Sequence, residues 1–285
     1  MSARRLRRFS RRFRQTLRYG GLSSSPVFFA NSFPKSGTHL LTQVMHGFIR
    51  LGPAVDSGLP AVVTFDGFSG RQRSLAEILA DLDRFLPGDI GYGHVHATPE
   101  TVERLCRPDV AAYLILRDPR DVVVSHVHYV AEMAPNHIHH RYYHSVLRTF
   151  DERLRASIAG VSQQELAKAS DGKPVYEPLP DIRKRFAPFL GWLEHPEVLV
   201  LRYEDFLTNR RLALEQVLDH AVRRGFKPVV DRQAALQALE ASIDPARSPT
   251  FRSGKAGGWR TSFTPEHEAL FAAIAGDLLP VLGYA

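Results

Sequence analysis

The sequence predicts an α/β fold in which helices flank a central, mostly parallel sheet within a single domain. Short apolar segments alternate with segments of helical periodicity along the 285 residues, and this alternation is typical of parallel sheets. Residues 111–116 form a continuous apolar run, as expected of a strand that is buried on both faces. A turn that contains a lysine, residues 31–37, joins the first strand to the first helix of this pattern. These features indicate a sheet covered by helices on both faces.

Each predicted strand is a short apolar run, and most predicted helices start at a polar capping residue. The cap is followed by proline, or by glutamate three residues on, and both patterns mark a helix start. The predicted strands are residues 27–30, 90–96, 111–116 and 198–201. The predicted helices start at or just after Thr38, Ser74, Thr98, Asp118 and Thr264. Residues 133–196 are mainly helical and irregular, so we interpret them as an insertion over the sheet that contacts the acceptor.

The positive charge is concentrated at the beginning of the chain. Eight arginines and no acidic residue lie within residues 1–24, so the net charge of +7 leaves about −1 for the remainder. Residues 1–24 are therefore interpreted as a basic tail and residues 25–285 as the domain, without a face for nucleic acid. Leu6, Phe9, Phe13 and Leu17 recur at helical spacing. Three readings of the tail stay open: a solvated terminus, an organelle-targeting peptide, or a helix in peripheral contact with anionic membrane.

Other features of the composition limit the functional classes. The chain has 44% hydrophobic and 24% charged residues, which is typical of globular domains. No apolar run reaches the length of a membrane-spanning helix. The single cysteine, Cys106, excludes an internal disulfide and a cysteine-rich zinc cage. A cytoplasmic protein is expected, while the oligomeric state is left open.

The turn at residues 31–37 has the properties of an anion-binding loop. A strand, a tight turn and a helix start direct backbone N–H groups and the positive end of the helix dipole at one spot. Gly37 allows close approach of an anion, Ser36 and Thr38 supply hydroxyl donors, and Lys35 supplies a charge. The loop lacks the first glycine and the Gly-Lys-Ser/Thr order of a nucleotide P-loop. It therefore predicts a site for a phosphate or sulfate group.

Three further segments place charged residues near predicted strand ends or in a mobile loop. Arg117 ends the strand at residues 111–116, and Ser125 follows two helical turns later. Ligands of open α/β sheets bind at the carboxyl ends of strands. The segment RYED follows another strand, and FRSGKAGGW is glycine-rich and cationic. Taken singly, each segment has a bland alternative, such as a local ion pair of Arg117 or a solvated linker.

The four segments together resemble the PAPS-dependent sulfotransferase family, where PAPS is 3′-phosphoadenosine 5′-phosphosulfate. FPKSGTHLL is similar to the family's 5′-phosphosulfate loop, RDPRDVVVS to its 3′-phosphate motif, RYED to a strand-end signature, and FRSGKAGGW to its carboxy-terminal loop. The motifs occur in the family's order. The resemblance implies one α/β domain with a P-loop-like phosphosulfate-binding loop, PAPS as co-substrate, adenosine 3′,5′-bisphosphate as product, and no metal.

The resemblance also implies the roles of individual residues. Lys35 would contact the bridging oxygen of the sulfuryl group and act in catalysis. The donor-binding residues that it implies are Lys35, Ser36, Gly37, Thr38, His39, Arg117, Ser125, Tyr203, Arg252, Ser253 and Gly254. The catalytic base of the family corresponds to a histidine in the segment YGHVH, with His94 favoured over His96. The sequence departs from the family at Tyr92, Leu40, Gly258 and Ser253.

The sequence allows several acceptors and three alternative functions. The acceptor is expected to be a hydroxyl or amine of a small molecule, lipid, glycan or peptide. Candidates for the apolar walls of the acceptor pocket are Tyr142, Tyr143, Phe150, Phe186, Phe189 and Trp192. We favour the last three as core residues. A nucleotide kinase or other P-loop NTPase is a rival, as is a catalytically silent binding protein. A third alternative is a metal site among the crowded histidines between His126 and His144.

Overall fold

The structure is a computed structural model that describes residues 3–169, 178–248 and 254–285. The strands are β1 (Val27–Ser32), β2 (Val55–Asp56), β3 (Val62–Val63), β4 (Phe65–Asp66), β5 (Arg71–Gln72), β6 (Asp89–His94), β7 (Val110–Leu116) and β8 (Val198–Arg202). The α-helices are α1 (Ala3–Tyr19), α2 (Thr38–Gly47), α3 (Leu75–Leu82), α4 (Pro99–Leu105), α5 (Pro119–His128), α6 (Phe150–Ala159), α7 (Gln163–Ala169), α8 (Ile182–Leu190), α9 (Asp205–Thr208), α10 (Arg210–Arg223), α11 (Arg232–Glu240), α12 (Trp259–Ser262), α13 (Pro265–Ala275) and α14 (Leu278–Leu282). Short 3-10 or π turns occur at Phe48–Arg50, Tyr129–Met133, Tyr142–Val146, Gly191–Glu194 and Pro245–Arg247.

The described residues fall into two units. Unit 1 contains the described parts of Met1–Val63, Leu75–Leu116 and Phe189–Gly254. Unit 2 contains those of Thr64–Ser74, Arg117–Pro188 and Lys255–Ala285. Of the predicted insertion at residues 133–196, the described residues up to Pro188 belong to unit 2 and residues 189–196 belong to unit 1.

Unit 1 is built on a parallel sheet. The strand order is β2-β6-β1-β7-β8, with β3 also pairing with β6, and every pairing of this sheet is parallel. The apolar run at residues 111–116 forms the interior strand β7, between β1 and β8. The prediction of an α/β fold with a mostly parallel sheet is therefore confirmed.

Helices cover both faces of this sheet because successive strand residues point to opposite faces. Phe28 and Ala30 of β1 belong to a buried cluster with apolar residues of α2, α10 and α11. The neighbouring Phe29 packs on the other face, with its ring 5.7 Å from that of Phe85, which follows α3. The strand β1 is therefore covered on both faces, and its first four residues, Val27 to Ala30, are all apolar.

The predicted helix starts agree with the observed caps. The Thr98 and Thr264 side chains each accept from the backbone N–H three residues on, and Asp118 accepts from Arg120 N–H. Several features differ from prediction, among them β1, which extends to Ser32 although the turn was predicted to begin at Asn31. The strand predicted at residues 90–96 ends at His94, and α10 and α11, which were not predicted, bury apolar residues such as Val217 against the sheet.

Residues 3–19 form helix α1, which packs against other parts of unit 1. Arg12 Nη1 lies 2.6 Å from Asp89 Oδ1, and Arg8 pairs with the other oxygen of the same carboxylate. Arg11 Nη1 lies 2.7 Å from Asp56 Oδ2. These ion pairs connect α1 to β2 and β6 of the same unit. No helix in the described residues has both the length and the apolar character needed to cross a membrane.

Unit 2 is mainly helical. Within it, Ser157 connects α6 to α5. The Ser157 hydroxyl donates to the carbonyl of Val123 at 3.1 Å and lies 3.0 Å from His126 Nδ1. His267 of α13 lies 3.1 Å from Asp151 of α6. Strands β4 and β5 form a separate antiparallel pair in this unit.

Candidate active site

The loop between β1 and α2 adopts a strained backbone conformation. Lys35 has φ +70°, and it is the only described residue other than glycine with positive φ. Such a conformation costs of order 1–3 kcal/mol and persists where the surroundings impose it, often at functional sites. The Ser36 amide donates to the Phe33 carbonyl at 3.1 Å, which closes the turn. The loop thus holds the backbone of Lys35 in the left-handed region.

Gly37 caps α2 and must be a glycine for two reasons. Its φ of +105° lies in the region that favours glycine. A Cβ atom at this position would lie 2.7 Å from Cδ2 of Tyr203. Tyr203 follows β8, and its backbone N–H donates to the Leu116 carbonyl at 2.8 Å. Two predicted donor-binding residues, Gly37 and Tyr203, are therefore in close contact.

Ser36 presents a buried hydroxyl in this loop. The residue is fully buried, and no group among the described residues hydrogen-bonds to its Oγ. Leaving a buried hydroxyl unsatisfied costs about 1–3 kcal/mol. An anion held at the amino end of α2 would accept this hydrogen bond and remove the cost. The loop is therefore suited to a phosphate or sulfate oxygen.

Ser32 joins this loop to His94. The register of β1 and β6, in which Asn31 lies opposite Gly93, brings Ser32 next to His94. Ser32 Oγ lies 2.8 Å from Thr38 Oγ1 and 3.1 Å from His94 Nδ1. His94 Nδ1 also lies 2.8 Å from the Ser32 carbonyl oxygen. A carbonyl can only accept, so neutral His94 carries its proton on Nδ1 and its lone pair on Nε2.

The surroundings of His94 favour its neutral form. Burial lowers the pKa of His94, and the charges of Lys35 and His39 lower it further, while the hydrogen bond to Ser32 acts in the opposite direction. Burial and the charge of Lys35 also lower the pKa of His39. A neutral imidazole with a lone pair on Nε2 can accept a proton near neutral pH.

The backbone after His94 is fixed by two side chains. Asn31 Nδ2 donates to the Val95 carbonyl at 2.9 Å, and the Val95 amide donates to Asn31 Oδ1 at 2.8 Å. Trp192 Nε1 donates to the same carbonyl at 2.8 Å. His96 lies beyond this clamp, with its ring 5.0 Å from the ring of Phe189, and burial lowers the pKa of His96 to about 4.

In unit 2, the start of α5 holds the carboxy-terminal loop. The buried carboxylate of Asp121 accepts from Gly257 N–H at 2.7 Å and from Trp259 N–H at 2.9 Å. Arg117 Nη2 donates to the Lys255 carbonyl at 2.9 Å and lies 3.7 Å from Asp121. The structure thus brings the predicted strand-end arginine together with the predicted cationic loop.

The remaining predicted residues have varied positions. Ser125 is half-buried on α5. Arg252 and Ser253 lie outside the described residues, and Gly254 has φ +60°. Among the candidate acceptor walls, Phe186, Phe189 and Trp192 are buried as expected of core, and Tyr143 is buried as well.

The metal alternative has no geometric support among the histidines between His126 and His144. Within the described residues, the one group of three metal-ligating side chains at close spacing is Cys106, His195 and Glu197, which lies elsewhere in the chain.

Sequence reasoning did not identify Ser32 and Asn31, which hold His94 and Val95. Both are polar residues in an otherwise apolar strand, and both are buried. A buried polar residue needs a partner, so their presence at the end of β1 was the available signal.

Comparison with known proteins identifies similar folds. A sequence profile described as the sulfotransferase domain matches residues 26–280, which span parts of both units. No curated protein sequence matches. The chain is similar to the structure of mouse sulfotransferase SULT7A1 complexed with PAP, with 21% identity, a TM-score of 0.55, and coverage of 97% of this chain and 96% of that one. It is also similar to retinol dehydratase in complex with androsterone and inactive cofactor PAP, with 16% identity, a TM-score of 0.56, and coverage of 93% and 85%. A second structure of retinol dehydratase, with retinol and PAP, matches equally well by TM-score.

Proposed function

Because the chain belongs to the sulfotransferase domain family, we propose that it transfers a sulfuryl group from PAPS to a hydroxyl group of a small molecule. The three similar structures described above contain PAP, which is adenosine 3′,5′-bisphosphate, the product that PAPS leaves after transfer. Two of them also contain androsterone or retinol, both of which are alcohols. These ligands support an alcohol over an amine as the acceptor.

The loop at residues 35–38 would bind the 5′-phosphosulfate. Its fit rests on the buried Ser36 hydroxyl and the amino end of α2, which together suit an anion. Lys35 would lie near the oxygen that leaves sulfur and would stabilise the negative charge that develops there. This contact strengthens in the transition state, so Lys35 would contribute to turnover more than to donor binding.

His94 would act as the general base. The acceptor oxygen forms a bond to sulfur while the bond between sulfur and the phosphate oxygen breaks. The electron pair of the broken bond stays on the phosphate oxygen. The acceptor proton passes to Nε2 of His94, whose Nδ1 is held by Ser32. A positioned base of this kind contributes about 10²–10⁴ in rate. Ser32 would act as a positioning residue that fixes the tautomer and the ring of His94.

Arg117 and Ser125 would recognise the 3′-phosphate. Arg117 sits directly after β7 and is oriented by the Lys255 carbonyl and by Asp121. A guanidinium matched to a phosphate loses a partner when that phosphate is missing, which costs a few kcal/mol. Arg117 would therefore distinguish PAPS from ATP.

The observation that carries the proposal is the hydrogen-bonded connection from the anion loop through Ser32 to His94. Calorimetry should detect binding of adenosine 3′,5′-bisphosphate without magnesium and weak binding of ATP and AMP. In Arg117→Ala, the bisphosphate should bind more weakly while ATP changes little. Tighter binding of ATP that requires magnesium would instead support a kinase.

Labelled PAPS offered with alcohols, amines, glycans and peptides then tests the acceptor, and no transfer to any alcohol would refute that part of the proposal.

A further inference from the structure

Helix α1 contacts the rest of unit 1 through its charged face. Arg8 and Arg12 pair with the fully buried carboxylate of Asp89, and Arg11 pairs with Asp56. Gln15, on the same face, is buried and donates to the Ile49 carbonyl at 3.2 Å. A helix on a protein surface normally buries its apolar residues and exposes its charged ones. Helix α1 is therefore docked the opposite way round.

The apolar residues of α1 form a stripe that faces away from unit 1. Leu6, Phe9, Phe13 and Leu17 recur three or four residues apart and are 54–71% exposed. The rings of Phe9 and Phe13 stack with centroids 6.3 Å apart, so the stripe is continuous. Exposed apolar side chains are common singly, but a continuous stripe on one helix indicates a binding surface.

The charges beside this stripe indicate what covers it. Arg7, Arg14 and Arg18 are exposed on α1, and no acidic residue occurs before Asp56. The three inward arginines compensate buried or half-buried acids of unit 1, while the exposed arginines add positive charge at the outer surface. An anionic bilayer supplies both hydrocarbon for the stripe and negative headgroups for the guanidinium groups.

We propose that α1 lies flat in the surface of an anionic membrane and anchors the protein there. Leu6, Phe9, Phe13 and Leu17 insert below the headgroups, while the exposed arginines bind lipid phosphates. Asp89, which holds α1, begins β6, and His94 ends the same strand. The membrane contact thus lies at the amino end of β6, and the loop and base at its carboxyl end stay uncovered by α1.

The test uses the whole chain with vesicles of phosphatidylcholine, with and without phosphatidylserine. Wild-type protein should sediment with the anionic vesicles, and added salt should weaken this binding. Phe9→Gln/Phe13→Gln should weaken it at least about tenfold because two apolar side chains leave the bilayer. Arg7→Gln/Arg14→Gln should lower the preference for anionic over neutral vesicles by about tenfold.

Two further measurements complete the test. Phe68→Gln/Val229→Gln removes apolar residues that are 63% and 62% exposed elsewhere, and this matched control should bind vesicles like wild type. All variants should melt as wild type does and bind adenosine 3′,5′-bisphosphate equally, so that a failure here is distinguishable from a failure of the proposed function. The proposal is overturned if the phenylalanine variant binds anionic vesicles as wild type does, or if wild type binds none. The second result, together with a dimer in solution that the same variant dissociates, would identify a second copy of the chain as the occupant.

Discussion

Gly37→Ala tests the geometry of the anion loop most directly. The new Cβ would meet two obstacles: a backbone with φ +105° and the Tyr203 ring at 2.7 Å. The left-handed conformation costs an alanine about 1–2 kcal/mol. Overpacking against a ring that must move costs about 1–3 kcal/mol. The sum is roughly 2–5 kcal/mol, a large share of the about 5–15 kcal/mol that stabilise a typical domain.

The two contributions can be separated by urea unfolding of four proteins. In a Tyr203→Ala background the ring is gone, so Gly37→Ala should cost only the backbone part, and the difference between backgrounds measures the clash. Gly20→Ala is the matched control, because Gly20 has φ +76° and nothing within 4 Å of its Cβ position. The Gly20→Ala variant should lose only about 1–2 kcal/mol of its free energy of unfolding.

Binding of adenosine 3′,5′-bisphosphate should fall in Gly37→Ala, since a shifted loop misdirects its amides, and should persist in Gly20→Ala. Equal destabilisation by Gly37→Ala in both backgrounds would show that the Tyr203 ring does not restrict this position. A cost below about 1 kcal/mol would refute the whole argument.

Three further changes follow from the same site and its surroundings. Lys35→Ala should reduce kcat by about 10²-fold or more with a smaller change in bisphosphate affinity, measured by kinetics and calorimetry; equal losses would make Lys35 a simple anchor. His94→Gln should lower the rate by a factor of about 10²–10⁴, while His96→Gln should retain most of the activity; the reverse order would identify His96 as the base. In the wild type, kcat/KM should fall on the acidic side only below pH 6.5, because the pKa of His94 is lowered and only its neutral form accepts a proton. Burial lowers the pKa of His220 from 6.5 to about 4, so between these pH values the unfolded chain binds a proton at His220 and the folded chain does not. The free energy of unfolding should therefore decrease as the pH falls from 6.5 toward 4. His220→Phe, which cannot be protonated, should flatten that pH dependence of the unfolding free energy by up to about 1.36 kcal/mol per pH unit, and an unchanged slope in urea titrations would contradict the assignment.

Much of the fold could be predicted because its signals are local in the chain. Helix starts at Thr98, Asp118 and Thr264 depend on residues within one turn, and all three were predicted from capping patterns. The buried run at residues 111–116 likewise identified β7. By contrast, α10 and α11 were not predicted, although their buried residues recur at helical spacing. Their burial depends on the sheet against which they pack.

The sequence alone indicated the chemistry that the chain carries: a predicted anion loop at Lys35–Gly37, a histidine at the end of a strand, and a segment with many arginines and apolar residues at helical spacing. Only the tertiary structure decided how these parts are used. The register of β1 and β6 joins Ser32 to His94, the Asn31 clamp on Val95 places His96 beyond the strand, and Asp89 turns the charged face of α1 inward. The physical reason is that composition and periodicity depend on neighbours in the chain. Hydrogen bonds and ion pairs between residues 60 or more positions apart, such as Asn31 with Val95 and Arg12 with Asp89, form only after the elements pack.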